Sequence, residues 1–125
     1  AIIASQKLLK ENPGAIKAFL AAFTKGAKEV MANPTAAIDY VKQRDGIVNV
    51  PMEVRRLQLA IDTVIASPDA RAEGFGQIVP SRLSLMASQV SDAYGTKTRV
   101  NPDAVWNGSF LPSKAELNVL PAPKK

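Results

Sequence analysis

Three Asn-Pro steps, at Asn12-Pro13, Asn33-Pro34 and Asn101-Pro102, set the strongest limit on how this chain folds. Proline lacks an N–H and its ring clashes with the preceding helical turn, so no helix runs through such a step. At the first helical position, however, the missing N–H costs nothing, and an Asn just before it caps the free donors. Each step therefore closes one segment and starts a helix. The steps lie 21 and then 68 residues apart, with no matching apolar register between them. A solenoid needs a fixed period, so a tetratricopeptide-like array of helical repeats is disfavoured.

Between these corners the apolar residues recur at helical spacing. Ser5 precedes Gln6 to Lys10 as a polar cap, and Glu11-Asn12-Pro13 ends that short helix. The clearest element follows: Ile16, Phe19, Leu20, Phe23, Ala27, Val30 and Met31 form one stripe, with Lys17, Thr24, Lys25, Lys28 and Glu29 on the other side. Gly26 interrupts this helix, as a tolerated glycine or as a site of close backbone approach. From Pro34 a shorter helix buries Ala37, Ile38 and Val41 and ends near Asp45-Gly46, and Ile47 to Pro51 reads as an extended connector. Met52 to Ala66 carries Val54, Leu57, Ala60, Ile61, Val64 and Ile65 on one face, closed by Ser67-Pro68-Asp69. A Gly-containing loop leads through Val79-Pro80-Ser81 into a helix with Leu83, Met86, Ala87, Val90 and Tyr94, and Gly95 follows as its C′ residue. Asn101-Pro102 opens a brief helical turn bearing Val105 and Trp106, and residues 113–125 read as a carboxyl-terminal tail.

One segment does not fit a helical chain. "AIIAS" at residues 1–5 reads as a short β-branched strand, and a strand needs a sheet to satisfy its backbone. No set of partner strands follows it. The chain also starts without a Met, as expected of a piece cut from a longer protein.

The composition removes most catalytic chemistries. There is no Cys and no His, so thiolate nucleophiles, cysteine–zinc sites and a Ser-His-Asp triad cannot be built from these residues. Asp, Glu, Lys and Tyr do not cluster in a way that replaces them. Sixteen Lys and Arg against eleven Asp and Glu give a formal charge of +5. The cations are spread over Lys7, Lys10, Lys17, Lys25, Lys28, Lys42, Arg44, Arg55, Arg56, Arg71 and Arg82 without interleaved aromatics, a solvated surface and not a phosphate track. A nucleic-acid partner is not expected. "EGFGQ" lacks the lysine and the strand–loop–helix context of a phosphate loop.

The order of the elements resembles the late segment of periplasmic substrate-binding proteins of ABC importers, in the nitrate/sulfonate/taurine and thiamine-pyrimidine branch. The matching residues are Leu8-Leu9-Lys10-Glu11-Asn12-Pro13 after the strand, Ala22 to Gly26, and Asn33-Pro34-Thr35-Ala36-Ala37. "EGFGQIVPSRLSLMASQVSDAYG" is similar to the family's Gly-rich loop and following helix, and "WNGSFLP" to its ending.

The resemblance implies a mainly α fragment, five or six helices plus one N-terminal strand, of a two-lobed α/β periplasmic-binding-protein fold. Residues 1–112 would be the C-terminal part that covers one lobe, and 113–125 the tail. It further implies a small-molecule ligand held in an interlobe cleft, an ABC permease as membrane partner, and a periplasmic or otherwise extracytoplasmic location, with any membrane anchor outside these residues. No catalysis, cofactor or metal is expected. Most ligand-gripping residues of the family lie upstream, and the candidates here are Ser5, which otherwise caps a helix, and Trp106, which otherwise packs. Two other readings stand beside this one: a fragment of a thiamine-pyrimidine-biosynthesis-like enzyme, whose consumed histidine this chain lacks, and a freestanding helical interaction domain. The isolated fragment is expected to self-associate through its strand or its uncovered apolar side.

Overall fold

A computed structural model describes residues 2–122. Among these residues seven α-helices follow one another: α1 (Gln6–Glu11), α2 (Pro13–Ala32), α3 (Pro34–Arg44), α4 (Val50–Ala60), α5 (Pro68–Glu73), α6 (Pro80–Ala93) and α7 (Pro102–Val105). A π-helical turn at Ile61–Ile65 extends α4, and a 3₁₀ turn spans Gly108–Phe110. The architecture is mainly α, as the apolar periodicity requires.

The corners work as side-chain caps. Asn12, Asn33 and Asn49 accept from the N–H groups of Ala15, Ala36 and Met52 at 3.1, 3.2 and 3.1 Å, each with a Pro in the first turn. Asn12 and Asn33 also finish the preceding helix, donating their own N–H to Leu8 O and Glu29 O at 3.0 Å. One residue thus satisfies the orphan groups of two helix ends. Asn101 caps α7, accepting from Asp103 N at 3.0 Å. Gly95, at φ +57°, follows α6, and Thr96 N closes back on Ser91 O at 3.1 Å, a glycine-based helix stop.

Three expectations are corrected. Ile2 to Ser5 join no ladder, because no strand exists among the described residues to pair with them, and Ile3 is left 91% exposed (Ala1 lies outside the described residues). The expected connector at residues 47–51 is partly helix: Asn49 caps α4, so Val50 and Pro51 belong to its first turn. Ser67-Pro68 repeats the same device, with Ser67 Oγ accepting from Ala70 N at 3.2 Å, so it opens α5 as well as closing the helix before it. Within residues 113–125, the C-terminal tail of the sequence reading, the described part packs against the helices. Leu117 is wholly buried and Val119 nearly so, while residues 123–125 lie outside the described residues.

That docking builds the centre of the fold. Met31, Ile61 and Val119 make the buried cluster, with Ala27, Leu57, Ile65, Phe75 and Leu120 packed against it. The π-turn, in which Ala66 N reaches Ile61 O at 2.8 Å, sets Ile61 at zero exposure between α2 and the C-terminal segment. Phe75 N donates to Leu117 O at 3.0 Å and Arg71 Nη1 to Pro121 O at 2.6 Å, tying the segment to the end of α5. Gly74 makes this approach possible. Its φ is +107°, and a Cβ there would stand 2.9 Å from Leu117 Cβ.

The cluster is small for the chain. A folded monomer of 13.3 kDa exposes about 6,500 Å², whereas this one exposes 9355 Å². Phe19, Tyr40, Leu59, Val64, Leu85, Tyr94 and Val105 are all exposed, on several helices. Helices as short as α1, α3, α5 and α7 are marginal on propensity alone, so capping supplements a limited amount of packing.

Two stability measurements follow. Gly74→Ala should cost about 1–3 kcal/mol or more, since it combines a strained φ with a clash against Leu117; Gly95→Ala meets no neighbour within 4 Å and should cost less in the same urea titration. The second concerns Glu116, whose Oε2 accepts from Ser113 Oγ at 2.6 Å and Ser113 N at 3.0 Å. These bonds hold its carboxyl below the usual value. A lowered folded pKa adds stability that is full above the unfolded value and lost as pH falls through the folded one. Glu116→Gln should therefore lower stability at neutral pH and shrink the loss of stability on acidification.

Candidate functional site

A concave feature lies along the apolar stripe of α2. Phe19 and Phe23 stand one turn apart, with ring centroids 6.3 Å apart and planes inclined by 24°. Phe23 in turn stacks on Phe75, at 6.4 Å and 15°. Beyond this line of rings runs an open groove of about 450 Å³, lined by Phe23, Gly26, Ala27, Val30 and Met31 of α2, Leu57 of α4, Ile61 and Ile65 of the π-turn, and Phe75. The i, i+3, i+4 spacing of the α2 residues places them on one stripe, and the π-turn swings Ile61 and Ile65 toward it. Gly26 has nothing within 4 Å of where its Cβ would be, so no backbone packs against it, and its missing side chain widens the groove.

The lining carries no ionisable side chain and no side-chain hydroxyl or amide. It can bury apolar surface; it cannot transfer a proton, attack a carbonyl or hold a cation. Elsewhere, no group of acidic side chains suited to a metal ion occurs among the described residues. A smaller hollow of about 220 Å³ is bordered by Arg71, Gly74, Lys114, Ala115 and Asn118. Its two cations already have partners: Arg71 holds Pro121 O, and Lys114 lies 3.8 Å from a Glu73 carboxylate oxygen. No described helix is long and apolar enough to cross a membrane.

The two sequence candidates have local work. Ser5 caps α1, its Oγ accepting from Leu8 N at 3.2 Å. Trp106 is half-buried at the end of α7 and lays its six-membered ring over Gly108, where a Cβ would sit 2.7 Å from Cζ3. No hydrogen bond links Ser5 to Trp106, and neither lines the groove. Most groove residues were visible in the sequence as stripe positions. Phe75 was not, because it sits in a loop whose direction is set by the distant Leu117.

The Trp106–Gly108 contact has an optical readout, since the chain holds one tryptophan. Gly108→Ala should push the indole outward and shift its emission to longer wavelength, with little change in far-ultraviolet circular dichroism.

Comparison with protein families gives one match: a family model described as NMT1/THI5 like covers residues 1–37. The matched stretch holds Ile2 to Ser5, α1, α2 and the first residues of α3. Comparison with curated proteins and with solved structures found no match.

Proposed function

We propose that the chain is the helical C-terminal part of the solute-binding component of an ABC import system. The observation that carries this reading is the NMT1/THI5-like match over residues 1–37. It falls on the same run, Leu8 to Pro13, Ala22 to Gly26 and Asn33 to Ala37, whose order resembles importer binding proteins. The surface excess supports it: helices this exposed fit a layer laid against further structure, such as a sheet that also pairs Ile2 to Ser5.

In this proposal the intact protein works outside the cytoplasm. It captures a small molecule in a cleft between two lobes, closes by a hinge and presents the closed form to a permease. No covalent bond is made or broken. From this chain, Ser5 and Trp106 are the residues proposed to reach the cleft. The Ser5 hydroxyl keeps its own proton to donate while its oxygen caps α1.

Native mass spectrometry on the complete protein, purified without exchange, tests the proposal. A retained small-molecule mass that is lost on denaturation is expected. No retained mass, together with no thermal shift from nitrate, sulfonates, taurine or pyrimidines, would overturn it.

A further inference from the structure

We propose that Asn107 is a site of spontaneous modification: the backbone nitrogen of Gly108 displaces its side-chain amide as ammonia, and water then leaves aspartate or isoaspartate beside Trp106. The chain holds six asparagines, and the residue that follows each decides which can react. Pro13, Pro34 and Pro102 follow three of them and offer no N–H to lose. Val50 and Val119 follow Asn49 and Asn118, and a β-branched side chain crowds the attacking nitrogen. Val119 is nearly buried as well, and its N–H donates to Leu117 O at 3.0 Å. Asn107 alone precedes a glycine, which puts no Cβ in the way.

The structure leaves this step open. Asn107 is exposed, and among the described residues no group accepts the Gly108 N–H. Asn107 Oδ1 accepts from Ser109 N at 3.0 Å, so a donor already sits on the oxygen that takes up negative charge during attack. Ring closure needs the Asn107–Gly108 peptide to turn from its ψ of 102°. What resists is a 3₁₀ turn of three residues, closed by Leu111 N on Gly108 O at 3.1 Å. Such short turns have poor hydrogen-bond geometry and open locally at little cost.

In the first step Gly108 N gives its proton to solvent hydroxide and bonds to Asn107 Cγ. The Cγ–Nδ2 bond breaks, ammonia leaves, and a cyclic imide closes. Water then adds to either imide carbonyl. Addition at Cγ restores the main chain with an aspartate side chain. Addition at the backbone carbonyl routes the chain through the side chain, as isoaspartate with an extra methylene. Nothing is oxidised or reduced, and either product lowers the formal charge of +5 by one. The longer linkage moves Gly108 from beneath the Trp106 ring, which lies so close that a Cβ on Gly108 would overlap it.

This inference does not rest on the solute-binding reading; the test above detects a retained ligand whether or not Asn107 reacts. Incubation of the 125-residue chain in mildly alkaline buffer without denaturant, followed by mass spectrometry of its tryptic peptides, provides the test. The peptide spanning residues 100–114 holds Asn101 as well as Asn107, so its fragmentation carries an internal control. The mass gain of NH2 replaced by OH should appear first at Asn107 and rise faster at higher pH. It should bring isoaspartate that an isoaspartate-specific methyltransferase labels, and Trp106 emission should move to longer wavelength in step. Asn107→Gln should lose both changes, and Gly108→Ala should slow the mass gain. Asn107→Asp, which adds the charge without the longer backbone, should keep emission close to that of the unmodified chain. An Asn107 that stays intact while the chain is folded overturns the proposal, as does a gain spread evenly over Asn49, Asn107 and Asn118. So does a Gly108→Ala chain that reacts at the wild-type rate, or emission that stays unchanged as isoaspartate accumulates.

Discussion

The structure depends on the corner formed when an Asn or Ser cap is followed by proline. At Asn12 and Asn33 one side chain and one backbone N–H serve two helices at once. The donors of the new helix and a carbonyl of the old one find partners within a few residues. Consecutive helices can then change direction without burying an unmet polar group. Six of the seven helices have a proline in their first turn, so direction is set locally and repeatedly.

Such local definition complements a small buried cluster. Among the described residues, Ile61 and Leu117 are the large side chains that are wholly enclosed. Around them, the C-terminal segment acts as a strap: Leu117 fills the space over Gly74, and Val119 reaches Met31 and Ile61. The ion pairs contribute little. The five among the described residues lie at the surface, where solvent screening and side-chain entropy offset most of the attraction.

The sequence revealed the local rules better than the distant ones. Helical stripes at Ile16 to Met31 and Leu83 to Tyr94, the Asn caps and the Gly95 stop could all be read, because each is decided within one or two turns. The Ser67-Pro68 corner uses the same chemistry, yet its polar neighbours Asp69, Arg71 and Glu73 gave α5 no apolar stripe to reveal it. The docking of Leu117 was invisible for another reason. Pro-rich, Lys-ended segments usually stay solvated, and only the positive φ of Gly74, some forty residues earlier, makes room for this one. Ile2 and Ile3 show the reverse: β-branched residues favour a strand, but a strand requires a neighbour. As for the candidate site, its α2 wall was legible in the stripe, while its depth depends on the π-turn and Phe75, which no local pattern encodes.

The shared Asn corners also bear on the order in which the chain takes shape. Starting a helix is the unfavourable step, because several backbone angles must be fixed before the first bond is gained. Where the last residue of one helix is the cap of the next, ordering the first already positions the residue from which the second must start. Helix formation from α1 through α3 can thus spread from neighbour to neighbour, with little long-range loop closure, before the C-terminal strap arrives from the far end of the chain.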